Sequence, residues 1–232
     1  KSSMFVVTGI VVRQDGTVRQ DASEFVYLKG RNLFDLDVRR EARQIAGVYP
    51  SYQQVRLIKF YPNQLFIDFV KRKAVACIRG QRLLYVDENL VLFRLPEEAP
   101  QPAVPEITGI TRGLSQAKAG TQCRLSQVTL AMQIISQLAR AKALGERRLS
   151  RVDVLDPANA SFFVFIGQPA AGGEVHGAPA ARLLQVKIGN ESVSERVKFL
   201  ATLLAQVENN LYNIEYIDLR FQEPVIKFKE RT

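Results

Sequence analysis

Few side chains in this chain are placed for reaction chemistry. Asp87 and Glu88 are adjacent carboxylates. Such a pair does acid–base work or holds a cation only with further ligands near it. No third ligand, glycine-rich loop or histidine stands close, and Asp87-Glu88-Asn89 lies between two apolar runs, so the pair reads as a turn. His176 is the only histidine and sits in a Gly/Ala/Pro-rich stretch with no cysteine or acidic cluster around it to complete a metal site. Ser115, Ser126 and Ser136 have no base to activate them. Cys77 and Cys123 form no CxxC spacing, so zinc and thioredoxin-like chemistry lack support. Each reads as a buried thiol, and a Cys77–Cys123 disulfide stays open for an oxidising compartment. The chain also lacks GxSxG, HExxH, a P-loop and a dinucleotide fingerprint. The reading is therefore not an enzyme, with no catalytic residue, metal or cofactor.

What remains is binding. The 232 residues carry 32 Lys and Arg against 23 Asp and Glu, a formal charge of +9. A positive surplus favours acidic partners. Here it is scattered in small groups, Arg39-Arg40, Lys71-Arg72-Lys73 and Arg147-Arg148, which reads as a solvated basic surface. With neither an aromatic-plus-basic RNP pattern nor a zinc knuckle, nucleic acid is not expected as a partner. No apolar run reaches about 18 residues, so no span is expected within the chain. It opens at Lys1-Ser2-Ser3-Met4, which reads as an excised fragment.

The elements that would position a binding surface fall into two domains, 1–80 and 81–232. In the first, Met4–Val12 is apolar and β-branched and reads as a strand. A turn follows at Gln14-Asp15-Gly16-Thr17. Asp37 can cap a helix over Val38–Ala46, whose Val38, Ala42 and Ile45 share a face and which Gly47 and Pro50 stop. Val55–Phe60 and Leu65–Val70 read as strands joined by Pro62-Asn63.

In the second domain, Leu83–Val86 and Leu90–Phe93 read as a hairpin. Pro96, Pro100, Pro102 and Pro105 mark an extended connection. Helices are expected over Gln127–Lys142, capped by Ser126, and over Glu195–Asn209, capped by Ser194. Phe162–Ile166 is apolar throughout and reads as a strand covered on both faces. Leu184, Val186 and Ile188 alternate with Gln185 and Lys187. Tyr216–Phe221 alternates strictly, and Pro224–Lys229 reads as the last strand. Residues 168–181 read as a loop. Asp218 and Arg220 fall on one side of their strand, a spacing suited to an internal ion pair or a solvated face.

Seven phrases, in order, resemble the extracytoplasmic part of the FtsQ/DivIB family of bacterial cell-division proteins. They are Gly30-Arg31-Asn32-Leu33-Phe34, Tyr61-Pro62-Asn63-Gln64-Leu65-Phe66-Ile67, Lys73-Ala74-Val75-Ala76 and Leu84-Tyr85-Val86-Asp87, then Val104-Pro105-Glu106-Ile107-Thr108-Gly109, Val186-Lys187-Ile188-Gly189 and Tyr216-Ile217-Asp218-Leu219-Arg220-Phe221. Departures are Ala74 where the family has proline, and Glu88-Asn89 where a glycine follows the aspartate.

The resemblance implies an α+β architecture: a POTRA domain over 1–80, a small sheet with helices, then a β-domain over 81–232, an antiparallel sheet packed with two helices. It implies a non-catalytic divisome scaffold of septum formation, anchored in the cell inner membrane by one upstream helix, with this segment on the periplasmic side. The partners implied are FtsB/FtsL-type (DivIC) proteins on the last strands, and other division proteins on the POTRA half. A terminal edge strand suits such docking, because its unpaired N–H and C=O groups accept a partner strand. The residues expected at that surface are Tyr216, Asp218, Arg220, Phe221, Val225, Ile226 and Phe228. The alternative is a POTRA-type chaperone of outer-membrane protein assembly. That would call for tandem POTRA units or a barrel, where 81–232 instead carries two long amphipathic helices.

Overall fold

The computed structural model describes residues 3–20, 23–96, 98–110, 113, 118–167 and 182–229. It is an α+β structure of two compact units, Lys1–Lys73 with Phe93–Pro96, and Ala74–Leu92 with Glu97–Thr232. The loop 168–181, with His176, and Ser115 lie outside the described residues.

In the first unit, strands β1 (Gly9–Gln14) and β2 (Thr17–Gln20) form a hairpin. Its turn places Asp15 and Gly16 at positive φ, the geometry a two-residue hairpin needs. Helix α1 (Val38–Val48) is capped as expected: the Asp37 carboxylate accepts from the amides of Arg39 and Arg40. Strands β3 (Tyr52–Phe60) and β4 (Gln64–Lys71) follow, and the sheet order is β2-β1-β4-β3. Ile10, Val12, Val55, Leu57, Leu65 and Ile67 fill the core together with Ile45 of α1. On the other face Arg13 holds the buried Asp68 through two bonds of 2.7 and 2.8 Å. The strand expected over Met4–Val12 begins only at Gly9. Met4 and Phe5 form a short 3-10 turn, and the Phe5 carbonyl accepts from the Leu33 amide, so this stretch pairs with the loop before α1 instead of the sheet.

The second unit is one mixed sheet with two helices. Its strands are β5 (Ala76–Arg79), β6 (Leu83–Val86), β7 (Leu92–Phe93) and β8 (Glu106–Thr108). Helix α2 (Ser126–Arg140) precedes β9 (Leu149–Asp153), β10 (Ser161–Ile166) and β11 (Arg182–Lys187). Helix α3 (Val193–Gln206), β12 (Ile214–Asp218) and β13 (Val225–Phe228) complete it. The order is β13-β12-β11-β10-β9-β8-β5-β6-β7. The pairs β8–β9 and β11–β12 are parallel. Parallel neighbours need a crossover, and α2 and α3 supply these two.

Neither helix takes its expected cap. Ser126 is the first helical residue and Leu125 holds the cap position without a side-chain bond. The neighbouring Gln127 amide is used instead to tie the helix to the sheet, donating to the carbonyls of Gly109 (3.0 Å) and Val154 (2.9 Å). At α3, Ser192 stands at the cap position in left-handed backbone and Ser194 lies inside the helix. The helix stops at Gln206 and a 3-10 segment, Glu208–Asn213, continues the chain.

Cross-strand register decides which residues share a face. One row crosses β8 to β13 as Ile107, Val152, Phe162, Val186, Ile217 and Ile226. The first five are buried in the core with the apolar faces of α2 and α3, and Ile226 packs against it partly buried. A fully buried Phe such as Phe162 contributes about 1.5–3 kcal/mol by its burial. Each neighbour in sequence projects to the other side, giving Glu106, Arg151, Phe163, Gln185, Tyr216 and Lys227 in register. Phe162–Ile166 is therefore not covered on both faces: Phe163 and Phe165 are only half-buried on the outer side.

Candidate docking face at the closing strands

Strand β13 is the edge of the nine-stranded sheet, and its partner among the described residues is β12. Lys229 donates its amide to the Asn213 carbonyl at 2.8 Å, toward β12. The alternation of an antiparallel ladder then turns the backbone groups of Ile226 and Phe228 to the open side. Val225 is 46% exposed and Phe228 52% exposed, while Ile226 faces the core. A strand edge with open backbone groups and exposed apolar side chains is a template for another chain.

The residues expected at this surface divide into three groups. Val225 and Phe228 flank the open edge. Tyr216 lies half-buried on the outer face, with the Lys187 ammonium 4.1 Å and the Lys227 ammonium 5.9 Å from its ring centre. Lys227 also pairs with Glu215 at 3.0 Å. Asp218, Arg220 and Phe221 sit where the chain leaves the sheet. β12 ends at Asp218, so the alternation read through to Phe221 does not continue as a strand, and Phe221 projects into solvent.

Asp218 and Arg220 are occupied internally. The guanidinium makes bonds of 2.9 and 2.6 Å to the two carboxylate oxygens, and the Arg220 amide donates to the same carboxylate at 3.1 Å. Arg220 also reaches the Asn159 side-chain oxygen. Its carbonyl accepts from Arg196 of α3 at 3.0 Å, and the same guanidinium bonds the Ile188 carbonyl at 2.6 Å. Burial pushes the Asp218 carboxyl up, but the Arg220 bonds, with the charge of Lys187, outweigh it and hold the group below the usual carboxylate range. The same bonds raise the Arg220 guanidinium. This cluster positions the turn between β12 and β13.

Lys187, Arg196 and Asn159 were not singled out from sequence. Lys187 had a visible signal, the polar phase of an alternating strand. Arg196 and Asn159 had none, because their partners are 24 and 61 residues away.

The other candidates do structural work. Asp87 accepts from the amides of Asn89 (2.9 Å) and Val91 (2.8 Å), as a turn aspartate does. Ser136 bonds the Gln133 carbonyl within its own helix. Cys77 and Cys123 are both free thiols. Cys123 packs in the helix-side core, whereas Cys77 lies opposite Glu106 on the outer row, where burial pushes its thiol up. Among the described residues no three His, Cys, Asp or Glu gather to hold a metal. None of the helices described is long and apolar enough to cross a membrane.

No family model matches the chain. Three curated relatives do, all named "Cell division protein FtsQ". The chain is 26% identical over 199 residues to that of Geotalea daltonii, covering 85% of this chain and 66% of the relative. It is 24% identical over 197 residues to that of Syntrophotalea carbinolica (85% and 64%) and 25% identical over 198 to that of a Geobacter species (85% and 65%). The chain thus spans just under two thirds of the length of these relatives. Each match is longer than either compact unit, so it runs through both of them. The likeness to three proteins of one name thus runs through both separately packed units, and over most of its length the chain is similar to FtsQ cell-division proteins.

Proposed function

We propose that the chain is a non-catalytic scaffold of bacterial cell division, which docks a polypeptide of FtsB/FtsL (DivIC) type on the open edge of β13. The name shared by the relatives supports the role in division. One observation supports the docking site: β13 closes the sheet with Val225 and Phe228 exposed beside an edge that no other described strand pairs. An incoming strand would gain main-chain hydrogen bonds from the edge and specificity from the side chains beside it. In this reading the chain works outside the inner membrane, held by a single helix upstream of Lys1. Residues 1–80 form the POTRA half, which engages other division proteins.

The test is deletion of 222–232, followed by pull-down with an FtsB/FtsL-type partner. Binding is lost while amide-exchange protection in the first unit is kept. Unchanged capture by the truncated chain removes β13 as the dock.

A further inference from the structure

The outer face of the second unit carries a feature that strand addition does not use. Arg151 on β9 holds its guanidinium 4.1 Å from the ring centre of Phe163, and Lys187 on β11 holds its ammonium 4.1 Å from that of Tyr216. Gln185 lies between the two rings in register. Each cation lies against the face of a ring, which attracts it electrostatically. Among the described residues neither makes an ion pair. The nearby acids are engaged: Glu106 with Arg79 at 3.6 Å, Asp218 with Arg220, and Asp153 with the Leu155 amide. Both helices pack on the opposite face, and among the described residues the acids nearest the two cations, Glu106 across from Arg151 and Asp218 across from Lys187, have their closest ion-pair contacts with Arg79 and Arg220.

We propose that an extended acidic peptide segment lies across the outer face of β9–β12, with two of its carboxylates held by Arg151 and Lys187. The strands β9 and β11 are two spacings apart, about 10 Å, and Lys187 is two residues further along its strand. An extended chain spans that separation in about four residues. The planar guanidinium of Arg151 suits a bidentate carboxylate, and the Lys187 ammonium a point charge. Between them, Gln185 donates to Ser161 at 3.4 Å through its amide nitrogen, which leaves its oxygen to accept a peptide N–H.

Two other anionic ligands fit less well. A single-stranded nucleic acid needs bare rings for its bases to stack on, and here a cation covers each ring. An anionic bilayer needs apolar side chains that insert below the headgroups, and Phe163 and Phe165 on this face are half-buried. The proposal is independent of strand addition at β13.

The test is fluorescence anisotropy of a labelled peptide of alternating Glu and Ser against the full chain, at two salt concentrations. The peptide binds. R151Q/K187Q weakens it at least tenfold, and R151K/K187R retains it with an unchanged melting temperature. A control of equal charge loss on the helices, R140Q/K198Q, leaves affinity within twofold. Absence of binding, or equal loss in the control, overturns the proposal. So does a charge-matched oligonucleotide or anionic vesicle that binds more tightly and is lost in R151Q/K187Q.

Discussion

Asp218 and Arg220, two residues apart at the end of β12, close a two-bond ion pair of 2.9 and 2.6 Å. The pair lies beside the proposed docking edge but faces inward to its own chain. Its consequence is geometric: Arg220 is also held through Asn159 and Arg196, so the start of the turn leading to β13 is tied to α3 and to the segment before β10. Asp218→Asn costs about 1–2 kcal/mol by weakening a charge-assisted pair. It raises amide exchange over 219–228 before it affects the first unit, as hydrogen-exchange mass spectrometry reads.

Two of the buried aspartates, Asp68 and Asp218, contribute to the acid limb of stability. The bonds from Arg13 hold Asp68 below the usual carboxylate range, and Arg220 does so for Asp218 against the opposing effect of burial. Both groups bind a proton more readily in the unfolded chain. Their contribution is complete above the unfolded value, about 4, and is lost as pH falls through the folded values. Thermal midpoints measured from pH 7 to 3 fall on the acid side, and fall less in Asp68→Asn and Asp218→Asn. Equal acid slopes in wild type and variants would refute the assignment.

Phe228→Pro separates edge from core. The Phe228 amide is turned to the open side, so proline removes a donor the fold does not use, within about 0.5 kcal/mol of wild-type stability. Partner capture drops at least tenfold, whereas Phe228→Ala, which keeps the amide, loses less. Equal losses in a binding titration would assign the effect to the side chain.

Two glycines respond in opposite directions. Gly109 has φ +84°, and an added Cβ would stand 2.2 Å from the Leu155 nitrogen and 2.7 Å from an Asp153 carboxylate oxygen. Gly109→Ala therefore costs about 3 kcal/mol or more. Gly47, inside α1, has open space around it, and Gly47→Ala stabilises by about 0.5–1 kcal/mol. Urea unfolding of both variants reads the two signs.

Both thiols are buried and free. The folded chain is inert to a thiol reagent such as Ellman's on the minute scale, and two equivalents react once it is unfolded. One equivalent after unfolding under non-reducing conditions would reveal a mixed population.

Most elements were legible because their signals are local. Asp37 caps α1 through amides two and three residues on. The alternation of Leu184, Val186 and Ile188 marked the covered face of β11, since side chains in a strand change side at every residue. Errors came where a local rule met a distant partner. Ser126 and Ser194 read locally as caps, yet both lie within their helices, and α2 is tied down by Gln127 reaching Gly109 and Val154. The run Phe162–Ile166 was read as covered on both faces, because an apolar string does not tell whether a helix or only Arg151 covers Phe163.

By itself the sequence determined the α+β class, the turn at Asp15-Gly16, the Asp37 cap of α1 and the ordered phrases that carry the family likeness, because each is written in residues within a few positions of one another. Tertiary structure alone decided that β13 lies at an edge, that Asp218 and Arg220 face their own chain, and that Arg151, Phe163, Gln185 and Tyr216 stand in one row. Those facts depend on the order and register of strands far apart in the chain. Alternation and turns constrain the register of two strands once they meet, but which distant strands become neighbours is decided by how the whole sheet packs on its core.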